Sequence, residues 1–163
     1  MSNIEFEHSF KVKDLQPFLD YCENNGFKKV SQVMQNRIVY ENVYNNKVIA
    51  RLTTQTVDGV SSSVLDFKNV SRKDGDLNVS SESIPLSVDD KNKEIVLSIL
   101  NTLNFKIAAN NVRTRYVYEK GNVKFEIDNY IQPVAKVIAI EGDEVLVEEI
   151  YYNIKDLIDK YKE

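Results

Sequence analysis

The chain holds little that would tie it to an oxidising compartment, a zinc site or a membrane. Its one cysteine, Cys22, has no partner for an internal disulfide, and its one histidine, His8, leaves no Cys/His cluster with zinc spacing. Such usage fits a reducing environment, so a cytoplasmic protein is expected. The N-terminus lacks a basic-then-apolar leader pattern, and no apolar run approaches the roughly 20 residues of a membrane span. No basic run interleaves with aromatics, and the net charge is −4 with a pI near 5.2. Binding to nucleic acid or to an anionic membrane surface is therefore not expected, although a local cationic site is compatible with that balance.

What is present suffices for a core. With 163 residues, 42% hydrophobic and 10% aromatic, the chain suits a single domain over 1–163. Its most informative feature is a two-residue alternation. In Ile4-Glu5-Phe6-Glu7, apolar residues alternate with carboxylates, and period-two geometry places Glu5 and Glu7 side by side on one strand face. Val123, Phe125 and Ile127 share one face of a later segment, and Lys124, Glu126 and Asp128 share the other. Arg113 and Arg115 are also two apart, as are Asp66 and Lys68. Acidic and basic pairs on several strands predict a charged lumen, with apolar faces turned outward onto helices.

The chain also repeats itself. Arg37-Ile38-Val39-Tyr40-Glu41 and Arg115-Tyr116-Val117-Tyr118-Glu119 agree at four of five positions, and Phe27-Lys28 matches Phe105-Lys106 at the same offset. Each Phe-Lys pair follows an amphipathic helix. The first is expected from an Asp14 cap, with Pro17 in its first turn, Leu15, Phe18, Leu19 and Cys22 as its stripe, and Asn24-Asn25-Gly26 at its end. The second is expected over 90–103, with Val96, Ile99, Leu100 and Leu103 as its stripe and Asp89 or Asp90 as its cap. Two strand–helix–strand–strand units follow, over about 3–55 and 81–130.

Between the units lie a strand at 64–68 and a polar stretch, 71–81, that reads as a mobile hairpin loop. Pro85 lacks a ladder donor, so its strand should lie at an edge or carry a bulge. A last strand over 134–141 precedes a C-terminal helix with Ile150, Ile154, Leu157, Ile158 and Tyr161 at helical spacing. The fold class is α+β: a closed antiparallel barrel of eight strands, built from two pseudo-repeated halves, with three helices outside.

These segments together resemble the CYTH superfamily, the triphosphate tunnel metalloenzymes, which include class IV adenylate cyclases, thiamine triphosphatases and inorganic triphosphatases. The resemblance runs from Ile4 to the C-terminal helix. The family's opening Glu-x-Glu-x-Lys reads Glu5-Phe6-Glu7-His8-Ser9 here, so both acids stand and Ser9 replaces the lysine. Its Arg-x-Arg reads Arg51-Leu52-Thr53, a following strand lysine matches Lys68, and its Lys-x-Arg resembles Arg113-Thr114-Arg115. Its aspartate matches Asp128, and its closing Glu-x-Glu becomes Ala139-Ile140-Glu141. Where the family expects an arginine and further glutamates, the 80–85 segment keeps only Glu82.

The resemblance implies a divalent-metal-dependent phosphohydrolase acting on inorganic triphosphate, thiamine triphosphate or a nucleoside triphosphate. Glu5, Glu7 and Asp128 are then the catalytic candidates, and Glu5, Glu7 and Glu141 the ligands of Mg2+ or Mn2+. Arg51, Lys68, Arg113 and Arg115 are the triphosphate ligands. The residue types suit that chemistry, because a triphosphate needs several cationic donors and carboxylate oxygens suit hard divalent ions. Phosphoryl transfer asks mainly for positioning and electrostatics. The replacements at Ser9, Thr53 and Ala139 support an alternative, a tunnel that binds a nucleotide or polyphosphate without turnover. A class IV adenylate cyclase is the third reading, and a homodimer is left open.

Other polar residues have simpler expectations. By parity His8 points away from the Glu5/Glu7 face, and Cys22 is a small core residue. Tyr116 and Tyr118 lie opposite the arginines and pack outward, while Tyr151 and Tyr152 pack from the last helix. Glu126 is a lumen candidate without an assigned role. The resemblance places no phosphate ligand at Arg37, so a smaller part in anion binding is expected of it than of Arg115.

Overall fold

The alternating segments become strands of one wholly antiparallel sheet in the computed structural model, which describes residues 3–163. The strands are β1 (Asn3–Lys11), β2 (Lys28–Asn42), β3 (Val48–Val57), β4 (Val60–Asp74), β5 (Leu77–Glu82), β6 (Leu86–Val88), β7 (Phe105–Lys120), β8 (Val123–Gln132) and β9 (Val134–Gly142). Their order is β3-β2-β7-β8-β9-β1-β5-β4, and a further β3–β4 pairing closes these eight into a barrel. The ninth strand, β6, pairs with β4 from outside the ring. Closure leaves no open edge among the eight, as the alternation predicted.

Four helices cover the outside: α1 (Gln16–Asn24), α2 (Lys93–Thr102), α3 (Glu144–Asn153) and α4 (Lys155–Tyr161). One cluster joins Phe18 and Cys22 of α1, Val147 of α3 and Ile158 of α4 to Phe10, Phe125, Ile127, Ile138 and Ile140 on the outer face of the barrel. Tyr118 is buried there as well, its hydroxyl donating to Glu23 at 3.0 Å. A second cluster packs Val96 and Leu100 of α2 against Tyr40, Ala50, Leu52, Leu65 and Phe105. The outward residues are thus the apolar half of each alternation, and the charged half is left facing inward.

The repeat is visible as a two-fold relation between β2 and β7. Arg37 pairs with Asn111 and Val33 pairs with Arg115, so each residue meets the counterpart of its partner. Gln35 pairs with Arg113, its own counterpart at the offset of 78, and accepts from that guanidinium at 2.9 and 3.1 Å.

Several local expectations change. The 71–81 stretch is strand on both sides of a tight turn at Gly75, because β4 continues to Asp74 and pairs with β5. The strand carrying Pro85 divides into β5 and β6, consistent with the missing N–H. The C-terminal helix breaks at Ile154, which is buried at the corner between α3 and α4, so four helices stand where three were expected. On α2 only Val96 and Leu100 are buried, while Ile99 and Leu103 face solvent. Asp14 does not cap α1 as its N-cap residue, but its carboxylate accepts from the Gln16 N–H at 3.0 Å.

Candidate functional site

The inward half of every alternation converges on one cavity of about 340 Å³. Its lining carries seven carboxylates and six bases, a charge density that a lumen can sustain only through internal pairing. All eight residues singled out from the sequence, Glu5, Glu7, Arg51, Lys68, Arg113, Arg115, Asp128 and Glu141, line it. Ser9 and Ala139 line it too, as do Arg37, Asp66, Glu82, Lys124 and Glu126.

One wall is acidic. Glu7 of β1 pairs directly with Glu141 of β9, and Glu5 follows on the same face of β1. One carboxylate oxygen from each of Glu5, Glu7 and Glu141 can be chosen so that all three lie within 4.8 Å of one another. Burial, with Glu82 and Glu7 nearby, pushes the Glu5 carboxyl up to about 7 even against the opposing pull of Lys68. Burial and the neighbouring Glu126 hold Glu141 well above the usual carboxylate range. Two ammonium groups relieve part of this repulsion. Lys68 Nζ lies 3.3 Å from Glu5, 3.7 Å from Glu7 and 3.6 Å from Glu82, and Lys124 Nζ lies 2.9 Å from Glu141.

The other wall is built on arginine. Arg115 donates from Nε and Nη2 to the two oxygens of Asp128 at 2.8 and 2.7 Å, and also bonds Glu126. Burial alone would lower the pKa of Arg115, but Glu126 and Asp128 outweigh it and hold the guanidinium ionised. The same partner outweighs burial at Glu126, keeping its carboxyl below the ordinary range. Arg113 is almost wholly enclosed, 3.4 Å from Asp128, with its Nη1 donating to the Tyr130 hydroxyl at 2.6 Å. Arg51 grips Asp66 through both ends of its fork and reaches Glu82 at 2.8 Å.

These pairings differentiate residues that sequence reasoning grouped together. Asp128 has both oxygens engaged by Arg115 and lies 3.4 Å from Arg113, so it anchors two arginines of this wall. Glu5, Glu7 and Glu141 form the one grouping in the described residues that could hold a metal ion. Lys124 was legible by parity with Glu126 and Asp128, whereas the place of Glu82 in the lumen follows from the register of β5 with β4. Arg37 was legible from the repeat, since its counterpart is Arg115.

The remaining candidates pack as expected except Tyr152, which lies on the outer side of α3 and is 67% exposed. His8 faces outward, stacked on Tyr151 with ring centroids 3.9 Å apart, and its Nε2 lies 2.7 Å from Glu148. Tyr151 also donates to Asp76 at 2.8 Å. No helix among the described residues is long and apolar enough to cross a membrane.

No protein-family model matches this chain, and no curated protein matches it. Solved structures do. The PH1012 protein of Pyrococcus horikoshii superposes with a TM-score of 0.67 at 19% identity, over 95% of this chain and 88% of its own. HpAC1 of Hippeastrum, a candidate adenylyl cyclase described with a dominant triphosphatase activity, gives 0.65 at 11% identity over 97% and 90%. A chain of the Schizosaccharomyces pombe Mediator head module gives 0.62 at 8% identity over 98% of each. At such identities the likeness is one of fold, and this chain shares the tunnel-barrel architecture of those proteins.

Proposed function

We propose that the tunnel binds a triphosphate-bearing compound and, with a divalent metal, hydrolyses its terminal anhydride, as a member of the CYTH-type tunnel enzymes. One observation carries this reading: a three-carboxylate grouping faces an arginine wall across a single cavity. The donor set fits Mg2+ or Mn2+, both of which take oxygen ligands and suit carboxylates. The raised proton affinities of Glu5 and Glu141 point the same way, since a cation there would replace the protons that mutual repulsion now favours. Bound at Glu5, Glu7 and Glu141, the ion would neutralise phosphate charge and polarise a water.

The chain's own residues then divide the work. Arg51, Arg113 and Arg115 present guanidinium forks held in place by Asp66 and Asp128, so their geometry is set before a ligand arrives. Lys68 sits between the acidic cluster and Glu82 and can shift toward a phosphate when the cluster takes a cation. In the reaction the water oxygen bonds the terminal phosphorus, the anhydride P–O bond breaks, and the shorter phosphate chain leaves. The water's proton passes to a carboxylate oxygen of the cluster that does not bind the ion. The triphosphatase activity described for HpAC1 supports hydrolysis over cyclisation as the reaction class.

A second reading keeps binding and drops turnover. It is favoured by the replacements at Ser9 and Ala139 within the lining and at Thr53 in the adjoining space, and by carboxylate partners on five of the six bases. A panel of tripolyphosphate, thiamine triphosphate and ATP, each with Mg2+ and with Mn2+, separates the two. Metal-dependent phosphate release supports the hydrolase. Thermal stabilisation without release supports the binder, and neither response would overturn both.

A further inference from the structure

The six bases of the tunnel are not equivalent. Arg51, Lys68, Arg113, Arg115 and Lys124 each have a carboxylate within 4 Å. Arg37 has none among the described residues. Its one side-chain hydrogen bond runs from Nε to Thr53 Oγ1 at 2.9 Å, across the β2–β3 pair, which leaves both Nη groups without a protein acceptor. It lines the main cavity and also a neighbouring space of about 170 Å³ bounded by Gln35, Thr53, Gln55, Ser62, Val64 and Asp66, so it stands at the junction of the two, while Asp66 itself is held by Arg51. Burial and the fields of Arg113, Arg115 and Arg51 lower its pKa to about 9 against a smaller opposing pull from Glu126.

A guanidinium placed among three others, with no carboxylate within salt-bridge distance, adds little to the stability of a fold. An anion arriving there meets donors that it need not first take from a carboxylate. The other arginines would have to exchange an existing charge-assisted bond for a new one. At Arg37 the bond is a net addition.

We infer that Arg37 is a direct anion-binding residue of the tunnel, receiving the phosphate end that lies farthest from the Glu5/Glu7/Glu141 cluster. In the ring of eight strands β2 stands opposite β1, four strands away in either direction. A ligand held by Arg37 at one end and by the acidic cluster through a cation at the other therefore spans the lumen. This would favour a polyphosphate over a single phosphate group. The inference rests on the proposed anion-binding reading of the tunnel, and it reverses the minor part that sequence resemblance assigned to this position.

The test is calorimetric titration of tripolyphosphate and of inorganic phosphate into the wild type, Arg37→Gln and Arg37→Lys, with thermal melts of each protein without ligand. The expected result is a loss of at least tenfold in tripolyphosphate affinity for R37Q, partly recovered in R37K, with inorganic phosphate bound more weakly than tripolyphosphate by the wild type. The ligand-free R37Q protein should melt at or above the wild-type temperature, because an unpaired cation has been removed. Unchanged affinity in R37Q, when the wild type binds, overturns the role of Arg37 alone. So does a ligand-free R37Q that melts well below the wild type while keeping its affinity, the signature of a structural arginine. A wild type that binds no tripolyphosphate overturns the tunnel reading together with this one.

Discussion

Replacing Asp128 by asparagine probes the charge architecture most directly. Asp128 is 2% exposed and its oxygens take two hydrogen bonds from Arg115, with Arg113 also at 3.4 Å. Asparagine preserves the volume but removes the negative charge and turns one oxygen into a donor that faces guanidinium. Arg113 would then keep only Gln35 and Tyr130 as partners, both neutral. Removing one member of a buried pair costs about 3–5 kcal/mol, because the remaining charge stays out of water without compensation. For a domain of this length each kcal/mol moves the midpoint by about 2–4 °C, so Asp128→Asn should lower Tm by about 6–20 °C. The released guanidinium groups become anion sites, and tripolyphosphate should therefore stabilise the variant more than the wild type. At a hundred times Kd a native-state ligand adds about 2.7 kcal/mol, enough to return a large part of the loss. Scanning calorimetry with and without tripolyphosphate reads both effects. A fall under about 2 °C, the size expected of a solvent-screened surface pair, would refute the assignment of Asp128 as the anchor of both arginines.

Other consequences follow from the same geometry. The raised Glu5 carboxyl means the folded state holds a proton that the unfolded state has lost between about pH 4.5 and 7, so metal-free stability should fall as pH rises through that window. Urea unfolding at pH 5 and pH 7.5 checks this, and Glu5→Gln should flatten the trend. The double change Glu5→Gln with Glu7→Gln should abolish the stabilisation given by Mg2+ or Mn2+, and its survival would remove both residues from the metal site. Arg115→Ala should weaken tripolyphosphate binding more than tenfold, about 1.4 kcal/mol or above, with pyrophosphate bound more weakly than tripolyphosphate by the wild type. Gly142 has φ +139°, and a Cβ there would lie 2.0 Å from the Asn122 carbonyl oxygen. Gly142→Ala should consequently cost about 2 kcal/mol or more and disturb the adjacent Glu141, which melts and metal titration would both report.

How much of this was legible can be followed residue by residue. Strand parity is a local property of the backbone, so Lys124, Glu126 and Asp128 had to share one face and Phe125 and Ile127 the other wherever β8 lay. The same reasoning placed Glu5 with Glu7 and Arg113 with Arg115, and it turned His8 outward. The offset of 78 exposed the β2–β7 relation because helix, Phe-Lys pair and strand recur in one register. Polarity misled over 71–81, where β5 gave the end of β4 a ladder partner and a tight turn replaced the loop. It misled again on α2, whose stripe is wider than the surface it covers.

Sequence by itself thus determined which residues face inward, since side-chain alternation needs no knowledge of neighbours. Only the tertiary structure decided what each charge meets there. Glu141 joins Glu7 because β9 pairs with β1, and Asp128 binds Arg115 because β8 pairs with β7 in that register. Arg37, alike in type and face to Arg115, lies beside Thr53 of β3 and finds no carboxylate within 4 Å among the described residues. Ion pairing depends on distances of a few ångströms across paired strands, and which strands pair, in which register, sets those distances.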